Sequence, residues 1–137
     1  MKLSLKTEYA FRVLAQLGRT YGSEELAHID ALAKAETIPA NYLVQILNEL
    51  RHAGIIQSRR GKQGGYVLVK QPVEVTLHDI IKAVEGDLLD NPPKVAGQSG
   101  ERVAEVWGQV AAEIAELLKD RTLQDLLPQE TEGMYYI

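Results

Sequence analysis

The sequence predicts a mainly α-helical protein carrying one small β-hairpin, and three observations predict it. Before Gly54, apolar residues recur at the helical spacing of three to four. From Gly54 to Lys70 the spacing drops to two, around a cluster of glycines. After Gly100 one apolar seam runs for about 20 residues, roughly 30 Å of helix.

The helical part opens with "SLKTEYAFRVLAQLG", where Tyr9, Ala10, Val13, Leu14 and Leu17 form one stripe. Ser4 or Thr7 is the expected N-cap, and Gly18 and Gly22 stand near the expected stop. "HIDALAKAET" is a short helix with Ile29, Leu32 and Ala33 facing inward. In "IPANYLVQILNELRHAG", Pro39 suits a first helical position, where a missing N–H costs nothing. Tyr42, Leu43, Ile46, Leu47 and Leu50 make its buried stripe, and Gly54 fits the C′ position. About four residues around Thr37 separate these two helices, which is a helix-turn-helix pattern.

"GIIQSRR" and "GYVLVK" then read as two strands joined by a loop containing Gly61, Gly64 and Gly65. Those glycines permit positive φ in the bend and a close approach to another surface. A helix-turn-helix followed at once by a hairpin is the winged arrangement. "TLHDIIKAVEG" is a further helix, with Thr76 as N-cap, Asp79 at N3 and Gly86 at its end. The expected division is a winged helix-turn-helix domain at 1–89, a linker at 90–100, a dimerisation helix region at 101–127 and a tail at 128–137. The linker holds two prolines and two glycines with almost nothing apolar. Beyond it Val103, Val106, Trp107, Val110, Ile114, Leu117 and Leu118 form the long seam, which needs an apolar partner. A two-fold mate is the expectation, with packing on its own domain as the alternative. "TLQDLL", capped by Thr122, adds one more turn.

Composition restricts the function. The chain has 137 residues, enough for one domain with a real core, and 45% of them are hydrophobic. No apolar run approaches the roughly 18 residues of a membrane span and no signal-peptide pattern opens the chain, so a cytoplasmic protein is expected. With no cysteine there is no disulfide and no thiolate metal or iron–sulfur site. His28, His52 and His78 are scattered without metal-site spacing, so neither a metal nor a cofactor is expected. Charge is unevenly spread. Residues 1–70 hold ten Lys/Arg against six Asp/Glu, whereas 71–137 hold five against thirteen. Such asymmetry is expected when one end faces a polyanion.

Duplex DNA carries about one negative charge per 1.7 Å, and its major groove admits one helix. Outside the buried stripe the helix after Pro39 offers Asn41, Val44, Gln45, Asn48 and Arg51. Asn and Gln match the donor–acceptor pair of an adenine edge, and Val44 suits a thymine methyl. A merely solvated face accounts for this helix alone equally well. Lys2, Lys6 and Arg12 read as surface cations, with Lys6, at a helix start, the best candidate for a contact. Arg59, Arg60 and Lys62 beside the glycine bend are placed to reach phosphates or a narrow minor groove.

Four stretches, "MKLSLKTEYAFRVLAQL", "IPANYLVQILNELRHAGIIQSRRGKQGGYVL", "TLHDIIKAVEG" and "VWGQVAAEIAELLKDRTLQDLL", resemble the bacterial IscR-type regulators, also called the Rrf-two family. The likeness covers nearly the whole chain in order. It implies a winged helix-turn-helix homodimer that binds double-stranded DNA through Asn41, Tyr42 and Gln45, with Arg60 reaching the minor groove. Many members hold an iron–sulfur cluster on three cysteines in the segment matching 90–100, and here that segment has none. A cluster-free branch, the cysteine-metabolism repressors, ends in a tail similar to "GMYYI" and pairs with O-acetylserine thiol-lyase (cysteine synthase). The resemblance therefore implies a repressor of sulfur genes, with Met134, Tyr135, Tyr136 and Ile137 as a partner-binding tail. A tail folded back on its own dimer is the alternative.

A second class of function, a winged-helix module that docks a protein through "MYYI" and binds no DNA, stays open. An enzyme is not expected. The sequence has no paired nucleophile and base, and the glycines at 61–65 join two strands rather than opening a helix.

Overall fold

The computed structural model describes residues 3–60, 64–86 and 95–129. Helix α1, Leu5–Arg19, is capped by Ser4, whose Oγ accepts the Thr7 amide at 3.1 Å. Thr7 lies one turn inside instead, buried, where its hydroxyl donates to Glu85 at 2.8 Å. The Ser4 hydroxyl also donates to Glu85, so the start of α1 is tied to the end of a later helix. Gly18 does not stop the helix. It makes room for the Leu127 side chain, which an added Cβ would meet at 2.9 Å.

Helix α2, Ile29–Glu36, buries Leu32 and partly buries Ile29 and Ala33. The turn after it is tighter than expected, three residues before α3, Ala40–His52. Thr37 takes a left-handed conformation there, at φ 56° and ψ 54°. A β-branched residue in that region is strained by about 1–3 kcal/mol. Burial of Ile38 and its amide hydrogen bond to the Ala33 carbonyl at 2.9 Å hold the turn in place. Pro39 is the N-cap rather than the first helical residue, because its ψ of 131° is still extended. Its fixed φ suits either place. Leu43, Ile46, Leu47 and Leu50 are buried as the period requires, but Tyr42 is 37% exposed. It stands at the margin of the stripe, where its ring packs on Tyr9 of α1. Gly54 ends α3 with φ 78°, as a C′ residue should.

Strands β1, Ile56–Arg59, and β2, Gly65–Leu68, pair antiparallel from Ile56 opposite Leu68 to Arg59 opposite Gly65. A third stretch joins them. Ala27, in the connection between α1 and α2, exchanges two backbone hydrogen bonds with Tyr66, at 3.1 and 2.9 Å. Gly65 has no positive φ; it is needed because a Cβ there would lie 2.6 Å from the Ala27 carbonyl oxygen. The wing is therefore pinned to the helical body. Helix α4, Leu77–Glu85, starts with a capping box in which Thr76 and Asp79 exchange hydrogen bonds of 3.0 Å, and stops at Gly86.

Helix α5, Gly100–Lys119, packs on α4 through the side carrying Ala111. A 3-10 turn, Leu123–Leu126, follows behind a Thr122–Asp125 capping box. The Leu123 amide donates to the Val75 carbonyl at 2.8 Å, and its side chain is fully buried among the α1, α3 and α4 residues. The 3-10 turn is thus part of the same core. Among the described residues no helix is long and apolar enough to cross a membrane.

The close approach at Gly65 sets a test. Gly65→Ala is expected to cost about 1–3 kcal/mol by overpacking in urea unfolding, with an unchanged m-value. A variant as stable as the parent would show that Ala27 and Tyr66 are not held together.

Candidate nucleic-acid interface

Four fully buried aliphatic side chains fix the rotation of α3, so its opposite face must look outward. Asn41, Tyr42, Val44, Gln45, Asn48 and Arg51 are all exposed there. Their spacing of three and four places them along one stripe. Tyr42 meets Tyr9 of α1 edge to face, with ring centres 5.5 Å apart. The Arg12 guanidinium lies 4.9 Å from the centre of the Tyr9 ring, so Arg12 is stacked rather than free at the surface. Sequence reading missed this stack, because nothing periodic links positions 9, 12 and 42.

The electrostatics of α3 are simple. Its single carboxylate, Glu49, accepts an ion pair from Lys6 at 2.7 Å. This is where the structure places Lys6, with its ammonium turned onto α3. The pair removes the negative charge nearest the outer stripe, which then carries amides, a valine, a tyrosine and one guanidinium. At the end of the helix the His52 Nδ1 donates to the Asn48 carbonyl at 2.7 Å, since a carbonyl only accepts.

Arg59 closes β1 and Arg60 follows it; both are exposed, and neither forms an ion pair among the described residues. Lys62, expected beside them, lies outside the described residues, as do Met134, Tyr135, Tyr136 and Ile137 of the tail and residues 90–94 of the expected linker. The wing root is joined to α3 by Ala53, Gly54 and Ile55 alone, and Ala27 holds it from the other side. Helix α3 and the root of the wing therefore belong to one connected unit. On α5, Val103, Val106, Trp107, Val110 and Leu117 are 37–67% exposed, while Ile114 and Leu118 are half-buried. This apolar stripe lies beside the Ala111 side that covers α4.

Comparison with known proteins agrees with this geometry. A family model described as Rrf2, iron-dependent transcriptional regulator, matches residues 3–129. The chain is 32% identical over 142 residues to the HTH-type transcriptional regulator CymR of Bacillus subtilis, covering 100% of both chains. It is 30% identical to the regulator IscR of Cereibacter sphaeroides, over 95% of this chain and 89% of that one. The solved structure of CymR, described as the global cysteine regulator of B. subtilis, superposes with a TM-score of 0.76 at 31% identity, covering 92% of this chain and 95% of the other. The structure of T. potens IscR gives 0.74 at 30% identity, over 99% and 97%.

The iron in the family description does not fit the donors present. The chain has no cysteine, and among the described residues no group of three or more His, Asp or Glu is placed to hold a metal.

Two substitutions separate the roles on this face. Gln45→Ala is expected to cost about 1–3 kcal/mol on the preferred DNA sequence and to relax preference at one base position. Arg59→Ala is expected to weaken all sequences alike and to lower the salt slope by about one. Anisotropy titrations on chosen and randomised duplexes, at several salt concentrations, read both; affinities unmoved by either change would remove α3 and the wing from the interface.

Proposed function

The chain belongs to the Rrf2 family of DNA-binding transcription regulators, and from that premise we propose that it is a sequence-specific repressor acting as a cluster-free homodimer on genes of cysteine and sulfur metabolism. The observation that carries DNA reading is the carboxylate-free outer stripe of α3, with Arg59 and Arg60 on the wing directly after it. In this reading Asn41, Tyr42 and Gln45 meet base edges, Arg60 enters the minor groove, and Arg59 and Lys62 hold phosphates. Lys6 reaches a phosphate only by leaving Glu49. The protein works in the cytoplasm, beside the chromosome.

The homodimer rests on α5. Trp107 is 47% exposed and Leu117 67%, in line with Val103, Val106, Val110 and Ile114. A contiguous apolar stripe of that length marks an interaction surface. A second copy offers the same stripe, so the two helices cover each other about a two-fold axis. Residues 101–127 then serve as the dimerisation region, except that Leu123 belongs to the core of the DNA-binding body. The cysteine assignment is supported by the full-length match to CymR, whose solved structure is described as a global cysteine regulator.

A second reading concerns the tail. A polar lead from Gln129 to Gly133 followed by the apolar Met134–Ile137 suits capture in a pocket of a partner. The partner in this reading is O-acetylserine thiol-lyase. It adds a docking role to gene regulation and does not replace it.

Sedimentation tests the dimer. The parent is expected as a dimer, and Trp107→Ala is expected to lose about 3–5 kcal/mol and to dissociate at concentrations roughly two to three and a half orders of magnitude higher. An unchanged dimer would place the seam elsewhere. For the tail, removal of 134–137 is expected to abolish capture of purified cysteine synthase while leaving DNA affinity intact; capture that survives the truncation would exclude the tail.

A further inference from the structure

We infer that the cleft between the C-terminal end of α3 and helix α4 binds a small zwitterionic metabolite of the α-amino-acid type, and that its occupancy alters DNA binding; the second half rests on the DNA-reading function above. The cleft has a volume of about 550 Å³, within the range of small-molecule sites. Buried Ile55 and Val75 give it an apolar floor. Charges of both signs stand around it.

Glu49 lines the cleft on the α3 side. Its Oε1 takes the Lys6 ammonium, whereas Oε2 is buried with no hydrogen-bond partner among the described residues. A carboxylate oxygen out of water and unpaired is costly, and a donor from a ligand relieves that cost. On the other sides stand Lys70, after β2, and Lys82 of α4, both exposed and neither in an ion pair among the described residues. Asp79 also lines the cleft, but its Oδ2 is committed to the Thr76 amide. The free capacity among the described residues is therefore Glu49 Oε2, the second Asp79 oxygen and two ammonium groups. A ligand bearing an ammonium and a carboxylate on one carbon satisfies both, and a simple anion or cation satisfies only one.

The position explains the coupling. Glu49 and His52 belong to the last turns of α3, Ile55 roots β1, and Lys70 follows β2. The Val69 amide donates to the Ile55 carbonyl at 3.0 Å, so both wing strands share this root. A ligand spanning from Glu49 to Lys70 and Lys82 fixes the end of the reading helix against the wing and α4. Both DNA-contacting elements then respond to one small molecule.

Thermal melting of the full chain tests the site, with the protein amino acids added singly at millimolar concentration as probes. At least one is expected to raise the melting temperature by several degrees, because a ligand bound only by the folded state stabilises it. Its N-acetyl and amide derivatives, lacking the ammonium or the carboxylate, are expected to give no shift. Glu49→Gln and the double change Lys70→Ala, Lys82→Ala are expected to lose the response. The two lysines are exposed and unpaired among the described residues, so that variant keeps its fold even where Glu49→Gln does not. No shift with any amino acid overturns the site, and so does a shift that persists in the lysine variant or with both derivatives. The same amino acid is expected to change DNA affinity about fivefold or more in the parent and not in the lysine variant. Equal affinities overturn the coupling and leave the site. Failure to bind DNA at all overturns the DNA-reading function, while the melting response still decides the cleft.

Discussion

Burial of four aliphatic side chains on one stripe of α3 is the constraint from which the functional surface follows. Leu43, Ile46, Leu47 and Leu50 have no exposed surface, each worth about 1.5–3 kcal/mol of transfer from water. Rolling the helix by one residue would bring part of that stripe into solvent and sink Gln45 or Asn48, whose amides would find no partners. The rotation is therefore fixed by hydrophobic burial, and the outward amides are its consequence. Glu49 is the exception that needs treatment, and Lys6 supplies it with an ion pair at 2.7 Å.

The wing is placed by a different force. A two-stranded hairpin alone is marginal in water. Here Ala27 adds two backbone hydrogen bonds to Tyr66, Gly65 allows the approach, and Ile56 and Leu68 enter the core. The segment after α5 closes the unit through Leu123 and Leu127, packed on Val75 and Gly18. The result is a body in which α3 and the wing strands are held from several directions, with α5 leaving one apolar stripe bare.

Local chemistry was legible in the sequence. The caps at Ser4, Thr76 and Thr122 and the stop at Gly54 depend on partners within three or four residues, and each stands where its pattern predicts. The helical period identified the α3 core stripe apart from Tyr42, which sits at its edge and turns out to meet Tyr9. Pairs far apart in the chain left no such trace. The Lys6–Glu49 ion pair, the Ala27–Tyr66 bridge and the burial of Leu123 each join residues more than thirty positions apart. Of the candidate site, the exposure of Asn41, Gln45, Arg59 and Arg60 was legible because it follows from periodicity; Arg12 read as a free cation because its stacking on Tyr9 depends on the packing of α1.

Photocrosslinking from a single introduced cysteine tests most directly whether the outer face of α3 meets base edges. The chain has no cysteine, so one at Val44 or at Glu113 on α5 is a unique attachment point for a photoreactive group. The Val44 derivative is predicted to form a covalent adduct with bases of a bound duplex, and the Glu113 derivative to form none. Adducts from Glu113 with none from Val44 would contradict the assignment of α3 as the reading helix.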